Sequence, residues 1–403
     1  MKAFCRRMEA RQMMSNQPSP KVALLIETSG ETGREILRGV LRYSQTHGPW
    51  GLHVSPGDVN DLTLPNMKAW NGTGIIARIS NQAVADSVAR AKLPTVVIDL
   101  DDKWLGTHQF ANVIELRTDS QTIGTMAAEY FLDRNYHRFA VVGEVCVCNW
   151  SRIRVTSFCE RLAEAGYANH IHHPPEMHES DWGVEQKKLS GWLRSLPKPV
   201  AVFSTTDARG RQVLDACLAE GLQVPEELAV LGVDNDEFIC EIAYPSLSSI
   251  AMNTEQRAYE ATEMLHMMMN RKIKKGKVIY YEPLSVITRK STAIFHTTDA
   301  VVAKSLKFIH DNADKNIGVP EVSKAVGVSR RVLEKRFRQE LNRSIQQEIQ
   351  RVRFQYIQLL LLRTKMTLAE IARASGFNSE NYMQKAFRKK FKMTMNQYRK
   401  QQL

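Results

Sequence analysis

Acidic, hydroxyl and amide side chains recur where apolar runs end in the first two-thirds of this 403-residue chain: Glu27-Thr28-Ser29, Asp99, Thr205-Thr206-Asp207 and Asp234-Asn235-Asp236. Carboxylates only accept hydrogen bonds, hydroxyls donate and accept, and Arg154 offers a rigid fork of donors. Such a mixture suits a small polyhydroxylated molecule, each of whose hydroxyls needs a partner once it leaves water. An Asp at a strand end also commonly caps the next helix, and that plainer role stays open for Asp119 and Asp207. Asp234 lies in an Asp-Asn-Asp-Glu run, more acid than a cap requires, and reads as a ligand contact.

Chemistry beyond binding finds little support. No nucleophile with a base and an orienter is visible, so the chain reads as a non-enzyme. Cys146 and Cys148 stand near His170, His172, His173 and His178, but without the four-ligand spacing of a structural zinc unit. Gly30 and Gly33 lack the third glycine and the Lys-Ser/Thr of a nucleotide loop and mark instead a first-strand turn beside the ligand. Neither a metal nor a cofactor is expected. Six scattered cysteines without a secretory signal point to reduced thiols in a cytoplasm.

A second chemistry is concentrated at the other end. Residues 294–403 hold 22 Lys and Arg against 9 Asp and Glu, while the remaining residues hold 33 against 34, so the last quarter carries the whole net charge of +12. Clustered positive charge is the footprint of a phosphate-rich partner, because each neutralised phosphate releases a counterion. Two helix-turn-helix patterns lie in this segment, at about 319–339 and 368–390. In the first, Pro320 opens a short apolar-periodic helix, Gly327 supplies a turn, Ser329 stands at an N-cap position, and Leu333 and Phe337 share one face. The second follows 49 residues later: Leu368, Ile371 and Ala372 form a stripe, Gly376 turns the chain, and Phe377, Tyr382 and Phe387 punctuate the next helix. Long polar side chains near the start of the second helix of each pair match base-edge donors and acceptors.

The polar strand-end residues need elements to hold them. Val22–Ile26, Gly74–Ala77, Thr95–Ile98, Phe139–Val142, Val200–Phe203 and Leu228–Val233 are near-continuous apolar runs between helical stretches, the pattern of parallel strands covered on both faces. About ten such alternations exceed one comfortable sheet, so two α/β lobes are expected. In open sheets of this kind, ligands bind beyond the carboxyl ends of the strands.

Residues 317–399 resemble the DNA-binding domain of the AraC/XylS regulators, most closely in Thr367-Leu-Ala-Glu-Ile-Ala-Arg-Ala-Ser-Gly-Phe377 and Phe387-Arg-Lys-Lys-Phe391, with a connecting helix from about 344 to 362. The resemblance puts base contacts at Arg331, Glu334 and Lys335 and at Glu380, Asn381 and Lys385; the adjacent Arg388, Lys389 and Lys390 are candidate phosphate contacts. Lys392 and Met395 stand where the family has Gly and Pro, and Ile357 replaces a small residue. The preceding segment resembles the LacI/GalR-type ligand-binding domain, on Leu25-Ile-Glu-Thr-Ser29 with Arg34, Val230-Leu-Gly-Val-Asp-Asn235 and Ser285-Val-Ile-Thr-Arg-Lys-Ser-Thr292. That resemblance places Asp99, Arg154, Asp207 and Asp234 near a ligand, and Ser29 and Arg34 are further candidate ligand contacts.

Together the two resemblances imply a two-lobed periplasmic-binding-protein-like α/β sensor (21–293), a linker (294–300) and an all-α tandem helix-turn-helix domain (301–403); the charges, internal Met and Ser-Asn-Gln-Pro-Ser-Pro stretch of residues 1–20 suggest a disordered leader or an over-long start. Arg330, Leu333-Glu-Lys-Arg-Phe337 and Thr206-Asp-Ala-Arg209 fit pentose regulators of this family, which implies xylose or a related sugar as effector, gene activation, an operator in double-stranded DNA and RNA polymerase as a partner. A homodimer is expected, since a ligand can bias how two modules meet spaced half-sites. No apolar run approaches the roughly 20 residues of a membrane helix. An architectural DNA binder and a DNA-tethered sugar enzyme are the alternatives.

Overall fold

A computed structural model of the chain describes residues 19–55, 62–101, 104, 113–145, 148–172, 182–273, 277–297, 299–364 and 366–402. Most of the expected leader, together with Cys146, His173 and His178, lies outside the described residues. The first part of the chain runs β1 (Lys21–Leu25), α1 (Glu31–Thr46), β2 (Gly51–Val54), α2 (Met67–Trp70), β3 (Gly74–Arg78), α3 (Gln82–Ala91), β4 (Thr95–Ile98), β5 (Val113–Thr118), α4 (Ser120–Asp133), β6 (Phe139–Val142), α5 (Asn149–Glu164), β7 (Asn169–His172), α6 (Trp182–Ser195), β8 (Val200–Ser204), α7 (Asp207–Ala219), β9 (Leu228–Val233), α8 (Glu237–Ile242), β10 (Ser248–Met252), α9 (Thr254–Met269), β11 (Val278–Tyr281) and β12 (Pro283–Ile287). These elements build two six-stranded sheets, in the orders β11-β5-β4-β3-β1-β2 and β12-β10-β9-β8-β6-β7. Every pairing is parallel except that of β12 with β10. The apolar runs become strands because helices cover both faces: Val22, Ala23, Leu24 and Leu25 of β1 and Val200 to Phe203 of β8 are wholly buried.

By its contacts the chain forms two units, residues 1–118 with 254–281, and 119–253 with 282–403. The chain thus passes from one to the other after Thr118, after Asn253 and after Tyr281. Each unit holds one of the sheets, and the second also holds the helical end of the chain.

That end comprises α10 (Ala300–Asp311), α11 (Val319–Val326), α12 (Arg330–Leu341), α13 (Ile345–Arg363), α14 (Leu368–Ala374), α15 (Glu380–Phe391) and α16 (Met395–Gln402). Local signals repeat along it. Glu321 Oε2 accepts from the Gly318 N–H at 2.8 Å, as Glu370 Oε2 does from Thr367 at 2.7 Å. Gly327 and Gly376 take left-handed turns, Asn342 and Lys392 end α12 and α15 in the same conformation, and Ser344 with Gln347 and Thr394 with Gln397 start the following helices. Lys392 therefore occupies a backbone region that suits the family's Gly, while Met395 is buried in the second core. Ser329 stands at the N-cap of α12 but its side chain makes no capping bond.

The connecting helix α13 divides its apolar residues between two cores. Ile345, Ile349 and Val352 pack with Val322, Leu333 and Phe337, whereas Phe354, Ile357, Leu360 and Leu361 pack with Ile371, Met383 and Phe387. The pairs are also locked directly. Arg353 Nη2 donates to the carbonyl of Ile317 at 2.6 Å, and Asn316 Nδ2 donates to Asn378 Oδ1 at 2.9 Å. The Gly376 backbone comes so close that a Cβ there would meet the Lys315 carbonyl oxygen at 2.2 Å.

The cysteines depart from expectation. Cys159, Cys217 and Cys240 are free thiols, but Cys148 is disulfide-bonded. A compartment argument speaks to a whole chain and is silent on one thiol with a suitable neighbour. Burial raises the pKa of the Cys217 and Cys240 thiols, which keeps both protonated.

Gly376→Ala combines a left-handed φ with backbone overlap, so it is expected to cost about 2 kcal/mol or more. Thermal unfolding of the full-length variant checks this; an unchanged midpoint would show that the two helix pairs are not locked at this turn.

Candidate functional site

All strands of the first sheet are parallel, so their carboxyl ends share one edge, where residues distant in sequence meet. Arg78, which ends β3, pairs through Nε with Glu27 Oε1 at 2.8 Å and through Nη1 with Asp99 Oδ2 at 3.4 Å. Burial alone would lower the Arg78 pKa, but Glu27 and Asp99 hold it above its ordinary value. Asp99, just past β4, takes a positive φ that turns its carboxylate toward β5, where Oδ1 accepts from the Thr118 N–H at 2.6 Å and the Thr118 hydroxyl at 2.8 Å. Tyr281, which ends β11, donates to Asp99 Oδ2, and burial together with that carboxylate keeps its phenol protonated. Ser29 is exposed, and the Thr28 and Ser29 carbonyls accept from Arg34 Nη1 at 3.1 and 2.8 Å. Arg34 Nε donates to Glu31 at 3.0 Å, so this arginine braces the loop that carries Ser29. The loop folds tightly over α1: a Cβ on Gly33 would lie 1.8 Å from the Glu27 carbonyl oxygen, which explains the glycine.

The second sheet has its own polar edge. Glu144, two residues past β6, accepts from the Thr206 hydroxyl at 2.7 Å, and burial raises its pKa although that bond opposes the shift. Arg154 of α5 is 4% exposed; it donates to the Thr205 carbonyl at 2.5 Å and lies over the Trp150 ring at 4.8 Å. Its Nε is buried and finds no partner among the described residues. Asp207 opens α7, whose N-cap is Thr206, and its Oδ2 accepts from the Asp236 N–H at 2.8 Å. Burial, and then the neighbouring Asp234, raise the Asp207 pKa well above the usual carboxylate range. Within the acidic run Asp236 is the cap of α8, while Asp234 takes a φ of 97° and is only partly buried. Asp119 has the plainer capping role, accepting from the Thr122 N–H at 3.0 Å. Arg209 is fixed from behind by Glu185 at 2.8 Å and the Gly143 carbonyl at 3.0 Å. His172 Nε2 faces the same Glu185 carboxylate at 3.2 Å.

In the helical end, α12 and α15 follow the two left-handed turns. Leu333 and Phe337 bury one face of α12, leaving Arg331 and Lys335 exposed and Glu334 half-buried. Met383 and Phe387 bury the matching face of α15, leaving Asn381, Lys385, Arg388 and Lys389 exposed. Glu380 Oε1 accepts from Gln384 at 2.8 Å. Lys390 is exposed like its neighbours but also leans on an aromatic ring. Its ammonium lies 5.0 Å from the Phe354 ring centroid, and burial together with Arg351 lowers its pKa.

Sequence reasoning missed Glu27 as a partner for Arg78, and missed Arg78, Glu144, Thr118 and Tyr281 themselves. The rule that found Asp99 and Asp234 applies to Arg78 and Glu144 too, since both follow apolar runs. Thr118 and Tyr281 carried no such signal, because only strand order brings them to Asp99.

Residues 128–292 match the periplasmic binding protein-like domain, and residues 322–401 match a helix-turn-helix domain. Over 382 residues the chain is 28% identical to the xylose operon regulatory protein of Escherichia coli strain K12, covering 94% of this chain and 96% of that one. It is 29% identical to that of Haemophilus influenzae over 382 residues, covering 94% and 98%. The solved structure of a xylose-binding transcription activator aligns with a TM-score of 0.61 at 27% identity, covering 95% of this chain and 98% of that one.

Removing the Asp99 carboxylate would leave the Thr118 N–H without its acceptor, the Thr118 and Tyr281 hydroxyls with only their bond to each other, and Arg78 with one counter-charge fewer. Asp99→Ala is expected to destabilise the ligand-free protein by about 3 kcal/mol or more, as read by denaturant unfolding. A loss below about 1 kcal/mol would mean that water replaces the carboxylate at no net cost.

Proposed function

We infer that this chain, a transcription regulator with a periplasmic-binding-protein-like sensor and an AraC-type helix-turn-helix domain, is controlled by a small sugar and activates pentose utilisation genes. The observation that carries the reading is the joining of two polar strand-end clusters, rich in carboxylates, hydroxyls and arginine, to a basic module with two exposed recognition helices. Xylose or a related pentose is the favoured effector, in line with the similar xylose-binding activator. Arg154 and Asp234 are the proposed direct contacts, with Ser29 at the loop of the first unit. Asp99, Arg34 and Asp207 act by holding strand-end loops in place. The protein is proposed to work without catalysis in the cytoplasm, as a homodimer on a double-stranded operator, with RNA polymerase as its partner in activation.

On the DNA side, Arg331, Glu334 and Lys335 of α12 and Glu380, Asn381 and Lys385 of α15 are assigned to base edges, and Arg388 and Lys389 to phosphates. Lys390, over the Phe354 ring, is better suited to packing than to a phosphate.

Two measurements on the full-length protein test this. A panel of pentoses, hexoses and their acids is expected to contain one ligand that raises stability by about 2.7 kcal/mol at 100 times its dissociation constant. Asp234→Ala is expected to abolish that gain while leaving the protein folded; stabilisation that persists removes Asp234 from the site. On a duplex selected from random sequence, Arg331→Ala and Lys385→Ala are each expected to cost about 1–3 kcal/mol, with little effect on random DNA. Arg388→Ala and Lys389→Ala are expected to weaken both alike and to reduce the salt slope by about one each. Equal losses on selected and random DNA for Arg331→Ala would reassign that residue to a phosphate.

A further inference from the structure

The segment expected as a linker is held from two sides. Phe295 is 6% exposed and belongs to the core of the first helix-turn-helix pair, its ring 4.6 Å from that of His310 of α10 and tilted against it. The next residue is tied to the sensor side: the His296 N–H donates to the Arg134 carbonyl at 2.9 Å, and Asn135 Nδ2 donates to the His296 carbonyl at 2.8 Å. A segment of this kind is a strap.

Beside it lies an ionic junction. Asp133, the last residue of α4, pairs through Oδ2 with Arg351 Nη1 at 2.6 Å, and its carbonyl, an orphan acceptor at a helix end, takes a hydrogen bond from Arg343 Nη2 at 2.9 Å. Arg351 and Arg343 also grip Glu348, a fully buried carboxylate, at 2.7 and 2.6 Å. Burial alone would raise the Glu348 pKa, but the surrounding donors hold it well below the usual range. Cations outnumber carboxylates here. Arg134 is buried, makes no ion pair among the described residues, and lies over the Tyr130 ring at 3.6 Å and Phe295 at 5.1 Å. A cation-rich junction whose acidic partner Asp133 keeps 39% of its side chain in water is reversible in a way an apolar core is not.

The position of the junction in the chain gives it a role. Helix α4 starts two residues after Thr118, whose hydroxyl is bound by Asp99, and ends on Asp133, a rod of 14 residues or roughly 21 Å. The strap likewise follows β12, which starts two residues after Tyr281, another donor to Asp99. Both segments that leave the Asp99 cluster therefore finish on the base of α13 and the core of the first helix pair.

We propose that the Asp133–Arg351–Glu348 junction is a latch through which the state of the sensor sets the pose of the first helix-turn-helix pair. This rests on the sugar-controlled reading above. Relaying by α4 and the strap requires no contact between effector and DNA-binding helices, only a junction with two arrangements that the sensor biases.

Full-length Asp133→Asn and Arg351→Gln test it by fluorescence anisotropy on the selected duplex, with and without the stabilising sugar. Each variant is expected to reduce the sugar-dependent change in DNA affinity to less than a third of the wild-type factor, with the sugar dissociation constant in the absence of DNA altered less than threefold. The double variant is expected to lose no more than either single one, because both act through one pair. An unchanged factor in both variants overturns the proposal. Amide hydrogen exchange of the ligand-free wild type reads the latch without any sugar: residues 294–297 and the first turn of α13 are expected to be protected, and to exchange at least tenfold faster in Asp133→Asn. Exchange in the wild type as fast as an unstructured linker overturns the latch. If no sugar on the panel affects the wild type, the effector reading fails and the exchange result alone decides the latch.

Discussion

A parallel sheet forces the carboxyl ends of its strands onto one edge, and everything else in the sensor follows from that constraint. Residues with no sequence proximity, Glu27, Arg78, Asp99, Thr118 and Tyr281, meet because each stands at or just past the end of a strand in the same sheet. The edge is also where the chain leaves the unit. Thr118 and Tyr281 are the last residues before two of the three crossings, and one carboxylate binds both. One guanidinium bridges two carboxylates, and N–H and O–H donors from Thr118 and Tyr281 stabilise the charge it leaves on Asp99.

The helical end obeys a different constraint, set by caps rather than by ladders. Short helices leave unsatisfied N–H and C=O groups at each end, and here the same solutions recur 49 or 50 residues apart: a Glu reaching back to an N–H, a left-handed turn, a left-handed stop, and a Ser or Thr with Gln starting the next helix. Repetition of caps gives two recognition helices the same local frame. What makes one module of them is α13, which belongs to both cores, and the backbone approach of Gly376 to Lys315.

Much of this was legible in the amino acids. Apolar runs bounded by polar residues identify parallel strands, and the turn glycines at 327 and 376 identify the helix pairs, because both signals are local and periodic. Asp234 is singled out by the same strand-end logic, whereas Arg154 lies within α5 and is singled out by resemblance alone. The illegible part is whatever depends on pairing order or on a partner far along the chain. Asp207 looks like a cap or a ligand contact, and its bond to the Asp236 backbone emerges only when β8 and β9 are neighbours. Lys390 looks like one member of a basic triplet until Phe354, 36 residues earlier, comes beneath its ammonium. The expected linker offers only one local signal, Asp299 as the cap of α10, and nothing local reveals that Phe295 completes a core.

The energies at the junction suit the task assigned to it. A hydrogen bond to a charged group contributes about 1.5–3 kcal/mol, and a tenfold change in affinity corresponds to about 1.4 kcal/mol. Allosteric coupling is typically about 1–3 kcal/mol. With 39% of its side chain in water, Asp133 contributes less than the hydrogen-bond range, on the order of 1 kcal/mol, which still suffices to shift the pose of a DNA-binding module by a useful factor, while the apolar core beneath α12 is far too costly to exchange for the same purpose. A regulator built on Asp133 and Arg351 can alternate between arrangements without unfolding either helix pair, which an interface made only of residues such as Phe295 and Leu306 would not permit.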